Sequence, residues 1–157
     1  AMYPNIPQLW SIAKQLLFYM LDRTGSTYSY GPLTVASNAL KLPNGMYLQY
    51  PHLRYNNGEF LYDSGRNGIT RTDGPRLVEN IVQALARIVI TDQMLAIQNI
   101  PGISVVLTVH DEIIALGSDE NADETLATIM AIMKQPPAWC TELPLDAEGA
   151  YSKIYNK

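Results

Sequence analysis

The sequence predicts an α+β domain built on an antiparallel sheet with packed helices, and three observations predict it. An amphipathic helix pattern runs from residue 75 to about 97. Two apolar, β-branched runs, residues 103–109 and 113–116, then flank the polar triplet His110-Asp111-Glu112, as one long strand or as a tight hairpin with the triplet at its bend. A second helical pattern over residues 119–134 follows, and the tail over residues 143–155 alternates as a last strand would. A helix, a hairpin, a helix and a closing strand are the order of an α+β layer. No repeat, low-complexity tract or linker divides the 157 residues, which are read as a single domain, residues 1–157.

Earlier elements follow the same logic. Residues 7–21 place Leu9, Trp10, Ala13, Leu16, Leu17 and Met20 at helical spacing, with Pro7 in the first turn and Gly25-Ser26-Thr27 ending the helix. Pro43-Asn44-Gly45 separates two short apolar runs and signals a hairpin. Glu59-Phe60-Leu61-Tyr62 reads as a further strand, and residues 63–74 as a glycine-rich loop with a short strand at Ile69-Thr70-Arg71. In the long helix, Leu77, Val78, Ile81, Val82, Leu85, Ile88 and Val89 form an apolar stripe. Arg76, Glu79, Asn80, Gln83 and Arg87 lie opposite it.

Bulk properties narrow the classes of function. The chain is 47% hydrophobic and 17% charged, an ordinary globular balance that argues against disorder. No stretch approaches the roughly 20 apolar residues of a membrane span, so no membrane partner is expected. The start Ala1-Met2-Tyr3-Pro4 has no basic-then-apolar signal pattern. The lone Cys140 cannot form an internal disulfide and reads as filler beside Trp139 in a reducing compartment. A net charge of −4 counts against a self-sufficient nucleic-acid clamp. It leaves open a carboxylate site that collects divalent cations.

Two features could carry chemistry. His110-Asp111-Glu112 interrupts an apolar hairpin, and a charged group near a core is costly unless paired or bound to metal. Taken alone, the triplet reads more readily as a solvated turn. A hairpin does hold a carboxylate rigidly, as magnesium's octahedral preference requires. The polar helix face, taken alone, is a solvated surface. Alternatively, its amides Asn80 and Gln83 could donate to the acceptors that every base pair shows in the minor groove, gripping duplex without reading sequence. His52 reads as a surface histidine. No Cys-x-x-Cys, Walker or Gly-x-Gly-x-x-Gly pattern is present, and no Gly-x-Ser-x-Gly elbow.

Together, Leu77-Val78-Glu79-Asn80-Ile81-Val82-Gln83-Ala84 and Val109-His110-Asp111-Glu112, at this interval, resemble the family A DNA polymerases, closest to the bacteriophage branch. Tyr3-Pro4-Asn5-Ile6-Pro7-Gln8-Leu9-Trp10 and Leu143-Pro144-Leu145-Asp146-Ala147-Glu148-Gly149 resemble that branch as well, so the likeness covers nearly the whole chain. The resemblance implies part of the palm subdomain containing motif C, in a template-directed DNA polymerase of bacteriophage or prophage origin acting in the bacterial cytoplasm. It implies Asp111 as a catalytic metal ligand, one of two aspartates holding two magnesium ions (Mg2+). Glu112 would support it and His110 would lie near the primer terminus. Gln83 would face the minor groove, with Asn80 and Arg76 as further DNA contacts. Primer-template DNA and dNTP are the implied partners; the oligomeric state is left open.

Departures from the family qualify this. Asp73-Gly74-Pro75-Arg76 stands where phage relatives tend to carry Tyr-Gly-Gly-Lys. The motif A carboxylate and the fingers helix have no counterpart, so the chain is expected to be a C-terminal fragment inactive on its own. The start at Ala1-Met2 fits an engineered boundary or a split coding region. The alternative is a non-catalytic nucleic-acid-binding or interaction module derived from a polymerase palm. A metal-dependent hydrolase using His110, Asp111 and Glu112 is a third reading.

Overall fold

The computed structural model describes residues 3–22, 24 and 26–154. Ala1, Met2, Gly25 and Tyr155, on which some sequence expectations rested, lie outside the described residues. Among the described residues the fold is α+β: three α-helices and strands that pair only antiparallel. The chain forms two compact units, Ala1–Ala86 and Arg87–Lys157.

The first unit opens with α1, Asn5–Leu21, two residues earlier than its apolar pattern predicts, because Pro7 fits a first turn as well as a first position. Ala13, Leu16, Leu17 and Met20 form its buried face. Leu9 and Trp10, expected on that stripe, are 36% and 43% exposed. The helix ends at Asp22, which turns extended at ψ 126°. Its carboxylate accepts the backbone N–H and the hydroxyl of Thr24 and the Tyr28 hydroxyl. The Thr24 contacts and the Tyr28 bond hold its pKa below the usual aspartate value.

Four short strands follow: β1 Ser29–Tyr30, β2 Leu33–Ala36, β3 Ala39–Lys41 and β4 Tyr47–Gln49, paired in that order. Leu33 and Val35 alternate inward on β2, and Leu40 pairs opposite Leu48. The predicted turn is present: Gly45 N–H donates to Leu42 O at 2.9 Å, and Leu42 N–H to Met46 O at 2.8 Å. β1 and β2 were not expected, since runs of two and four residues are too short to show a period. The next sheet joins β5 Arg54–Asn56, β6 Glu59–Asp63 and β7 Ile69–Thr72. Its first hairpin turns on Asn57 and Gly58, both at positive φ (50° and 86°), the geometry that Asn-Gly favours in a two-residue loop.

Then α2, Gly74–Gln98, begins. Asp73 caps it, its carboxylate accepting the Arg76 N–H at 3.0 Å. Gly74 is required there: a Cβ would collide with the backbone carbonyl of Trp10 on α1. The helix carries its first turns in the first unit and the remainder in the second. Leu77, Ile88 and Val89 of its expected stripe are buried, but Val82 is 58% exposed. By length and composition alone this helix could cross a membrane, contrary to the sequence expectation. Its charged residues Arg76, Glu79, Arg87 and Asp92 instead suit an amphipathic surface helix.

In the second unit, Gln93 is buried and donates to Met133 O at 2.8 Å. β8, Ser104–Val109, and β9, Glu112–Leu116, form a hairpin with an irregular register between Val105 and Leu107. Gln98 side-chain oxygen accepts the Val105 N–H, tying the end of α2 to β8. A 3-10 turn at Asp119–Asn121 precedes α3, Ala122–Met133, where one helix from residue 119 was expected. Acidic residues occupy both first turns, where the helix dipole favours them. The predicted last strand is absent: residues 143–154 form no strand. Side chains anchor the tail to the α3 region instead, through Lys134–Asp146 at 2.8 Å and Tyr151 OH to Asp123 at 2.9 Å. Pro144, without an N–H, also weakens any ladder there.

Candidate functional site

The β8–β9 hairpin decides where the acidic triplet lies. Val109 pairs opposite Glu112, so His110 and Asp111 are the two loop residues and Glu112 is the first residue of β9. His110 takes φ 54°, a left-handed conformation in which His is among the better tolerated non-glycine residues. All three side chains are exposed. The backbone therefore places Asp111 at the tip of a two-stranded hairpin with its side chain exposed. Cys140, expected to be buried filler, is half-buried.

No group of three His, Cys, Asp or Glu side chains that could hold a metal comes together among the described residues. A hard cation such as Mg2+ takes about six oxygens, of which one loop carboxylate can supply one or two.

The second group lies on the first turns of α2. Arg76 is half-exposed, and its guanidinium is 3.3 Å from the Asp73 carboxylate, which also caps the helix. Gln83 is exposed and donates to Glu79 at 3.3 Å. Asn80 differs from both. It is half-buried, and its amide donates to the Tyr50 hydroxyl at 2.8 Å. Tyr50 is only 1% exposed and lies edge-on to Tyr62 at 5.0 Å. Burial raises its pKa above the ordinary 10.0, and the Asn80 bond opposes that shift. Asn80 thus satisfies a core hydroxyl, leaving its carbonyl and second N–H for other contacts.

Beside this helix face lies a concavity of about 390 Å3, where Tyr62, Thr70 and Arg71 of the β5–β6–β7 sheet meet Arg76, Glu79 and Asn80. Arg71 pairs with Glu59 at 2.7 Å. In the sequence Arg71 belongs to a short loop strand with no evident role. The alternation along β7 is the only local signal, and it says nothing about a neighbouring helix. His52 behaves as predicted, exposed at the corner Tyr50-Pro51-His52-Leu53.

No protein-family model matches the chain, and no solved structure matches it. A DNA polymerase of Bacillus phage SP02 is 36% identical to it over 128 residues, which covers 75% of this chain and 19% of that protein. The chain is thus similar to part of a phage DNA polymerase and spans about a fifth of the relative's length.

Proposed function

We propose that this chain contributes part of the catalytic palm of a DNA polymerase of the family A type, in which Asp111 is a metal-binding carboxylate. The observation that carries the reading is the exposed Asp111 in a two-residue hairpin loop, within a chain 36% identical to part of a phage DNA polymerase. A strand-borne loop suits a cation that tolerates little positional error. Asp111 alone does not complete a metal site, so a second carboxylate has to reach the cation from another segment or chain. Magnesium, once bound, would activate the primer 3′-hydroxyl and stabilise the departing pyrophosphate. Glu112 adds negative potential beside Asp111, and His110 offers a hydrogen bond near the primer end.

On α2, Gln83 and Arg76 are the side chains exposed enough to touch duplex DNA, Gln83 as a minor-groove donor and Arg76 toward phosphate. Asn80 acts mainly by holding Tyr50. Primer-template DNA and dNTP are the proposed substrates. The test is primer extension by the intact polymerase carrying Asp111→Asn. Extension should fall by on the order of 10³-fold or more while duplex binding is retained, since the lost term is several kcal/mol of transition-state stabilisation. Extension at the unsubstituted rate would remove Asp111 from the metal site and leave a non-catalytic nucleic-acid-binding module as the reading.

A further inference from the structure

A second concave surface of about 410 Å3 lies between α1 and the β5–β6–β7 sheet, lined by Trp10, Lys14, Glu59, Phe60, Arg71 and Thr72 among others. Its size suits a single heterocycle with its sugar. Trp10, Lys14 and Phe18 recur every four residues, so they share one face of α1, which borders the buried Ala13 and Leu17. Trp10 and Phe18 are 43% and 37% exposed. Phe18 meets Phe60 at 4.8 Å and Tyr55 at 5.1 Å, both edge-on, so an aromatic cluster adjoins the groove through Phe60. Phe60 is itself buried, so the exposed ring that the groove offers is Trp10, which suits a flat or apolar partner.

The polar groups specify which. Lys14 has no ion-pair partner among the described residues, whereas Arg71 is fixed at the rim by Glu59 at 2.7 Å. Thr72 is 2% exposed, and its hydroxyl has no hydrogen-bond partner among the described residues. A ring platform beside a lysine is the arrangement that binds unstacked bases: every base has a π-face, and the cation takes the adjoining phosphate. A base within a duplex cannot present that face. An apolar peptide would use the rings but gain nothing from Lys14.

We propose that this groove holds one unstacked base of single-stranded DNA against Trp10, with Lys14 on the neighbouring phosphate. The contact is local, since a net charge of −4 gives the chain no long-range pull on a polyanion. It requires neither Asp111 nor a metal, so its fate is separable from that of the polymerase reading.

The test is a titration of the whole chain into a labelled short oligothymidylate at low salt with EDTA present, read by anisotropy. Trp10 emission in a Trp139→Phe background gives a second signal. Binding should quench Trp10, Trp10→Ala should weaken it roughly ten-fold, and Lys14→Ala should weaken it and flatten its salt dependence by about one released counterion. Blunt duplex should not compete. If Trp10→Ala fails to fold, Lys14→Glu decides by the same loss. No binding, equal affinity in the variants, or equal competition by duplex or by an apolar peptide would each overturn the proposal.

Discussion

Two hairpins in this molecule turn on two-residue loops, and they solve the turn differently. The β5–β6 loop is Asn57-Gly58, with both residues at positive φ, the pair that matches strand twist at least steric cost. The β8–β9 loop is His110-Asp111, where His110 alone of the pair takes a left-handed φ. A residue with a Cβ costs about 1–2 kcal/mol in that region. The first loop is chosen for its backbone; the second accepts a poorer turn and leaves an imidazole and a carboxylate at its tip. Where a tight turn departs from the residues that make it cheapest, side-chain chemistry is the first explanation to test.

Exchanging the loops is the direct way to break the comparison. His110→Asn combined with Asp111→Gly should lower primer extension of the intact polymerase by on the order of 10³-fold, with the melting temperature of this chain unchanged or raised. A fall in melting temperature instead would mean that His110 and Asp111 are there for the turn. Next in size is Gly74→Ala, which asks whether backbone need also governs the start of α2. Its methyl would strike the Trp10 carbonyl, so urea unfolding should show a loss of about 1–3 kcal/mol. The reciprocal exchange, Asn57→His with Gly58→Asp, should cost about 1–2 kcal/mol and leave extension intact.

Smaller effects separate structure from binding at Asn80. Asn80→Ala strands the buried Tyr50 hydroxyl and should cost about 1 kcal/mol or somewhat more. Adding Asn80→Ala to Tyr50→Phe should cost less than it does alone, a non-additivity that a purely DNA-contacting Asn80 would not show. The smallest effect is in alkali. Burial raises the Tyr50 pKa, so the folded state favours its neutral form; the associated stability is complete below pH 10.0 and is lost as pH rises through the higher folded value. Urea midpoints on either side of that pH should fall, and Tyr50→Phe should flatten the fall.

Much of this was legible in the residues. The stripe from Leu77 to Val89 marked α2 within a residue at either end, because a 25-residue helix repeats its period many times. Pro43-Asn44-Gly45 marks one hairpin, while Asn57-Gly58 is harder to place because the short β5, Arg54-Tyr55-Asn56, carries no apolar alternation. The tail failed for a related reason: alternation over residues 143–155 says what a strand would look like, but a strand needs an edge to pair with. Among the candidate site residues, His110, Asp111 and Glu112 were readable as a bend between apolar runs. The use of Asn80 on Tyr50 was not, since the two are 30 positions apart in sequence.

The sequence by itself determined the helices, the α+β class and the residues at the β8–β9 bend, because periodicity and turn chemistry are local properties of the chain. Only the tertiary structure decided that Asp111 is a loop residue and Glu112 a strand residue, since register depends on which partners pair. It likewise decided that Gly74 lies under the Trp10 carbonyl and that Trp10 faces solvent beside Lys14. Those facts depend on which distant surfaces meet, and no window along the chain contains them.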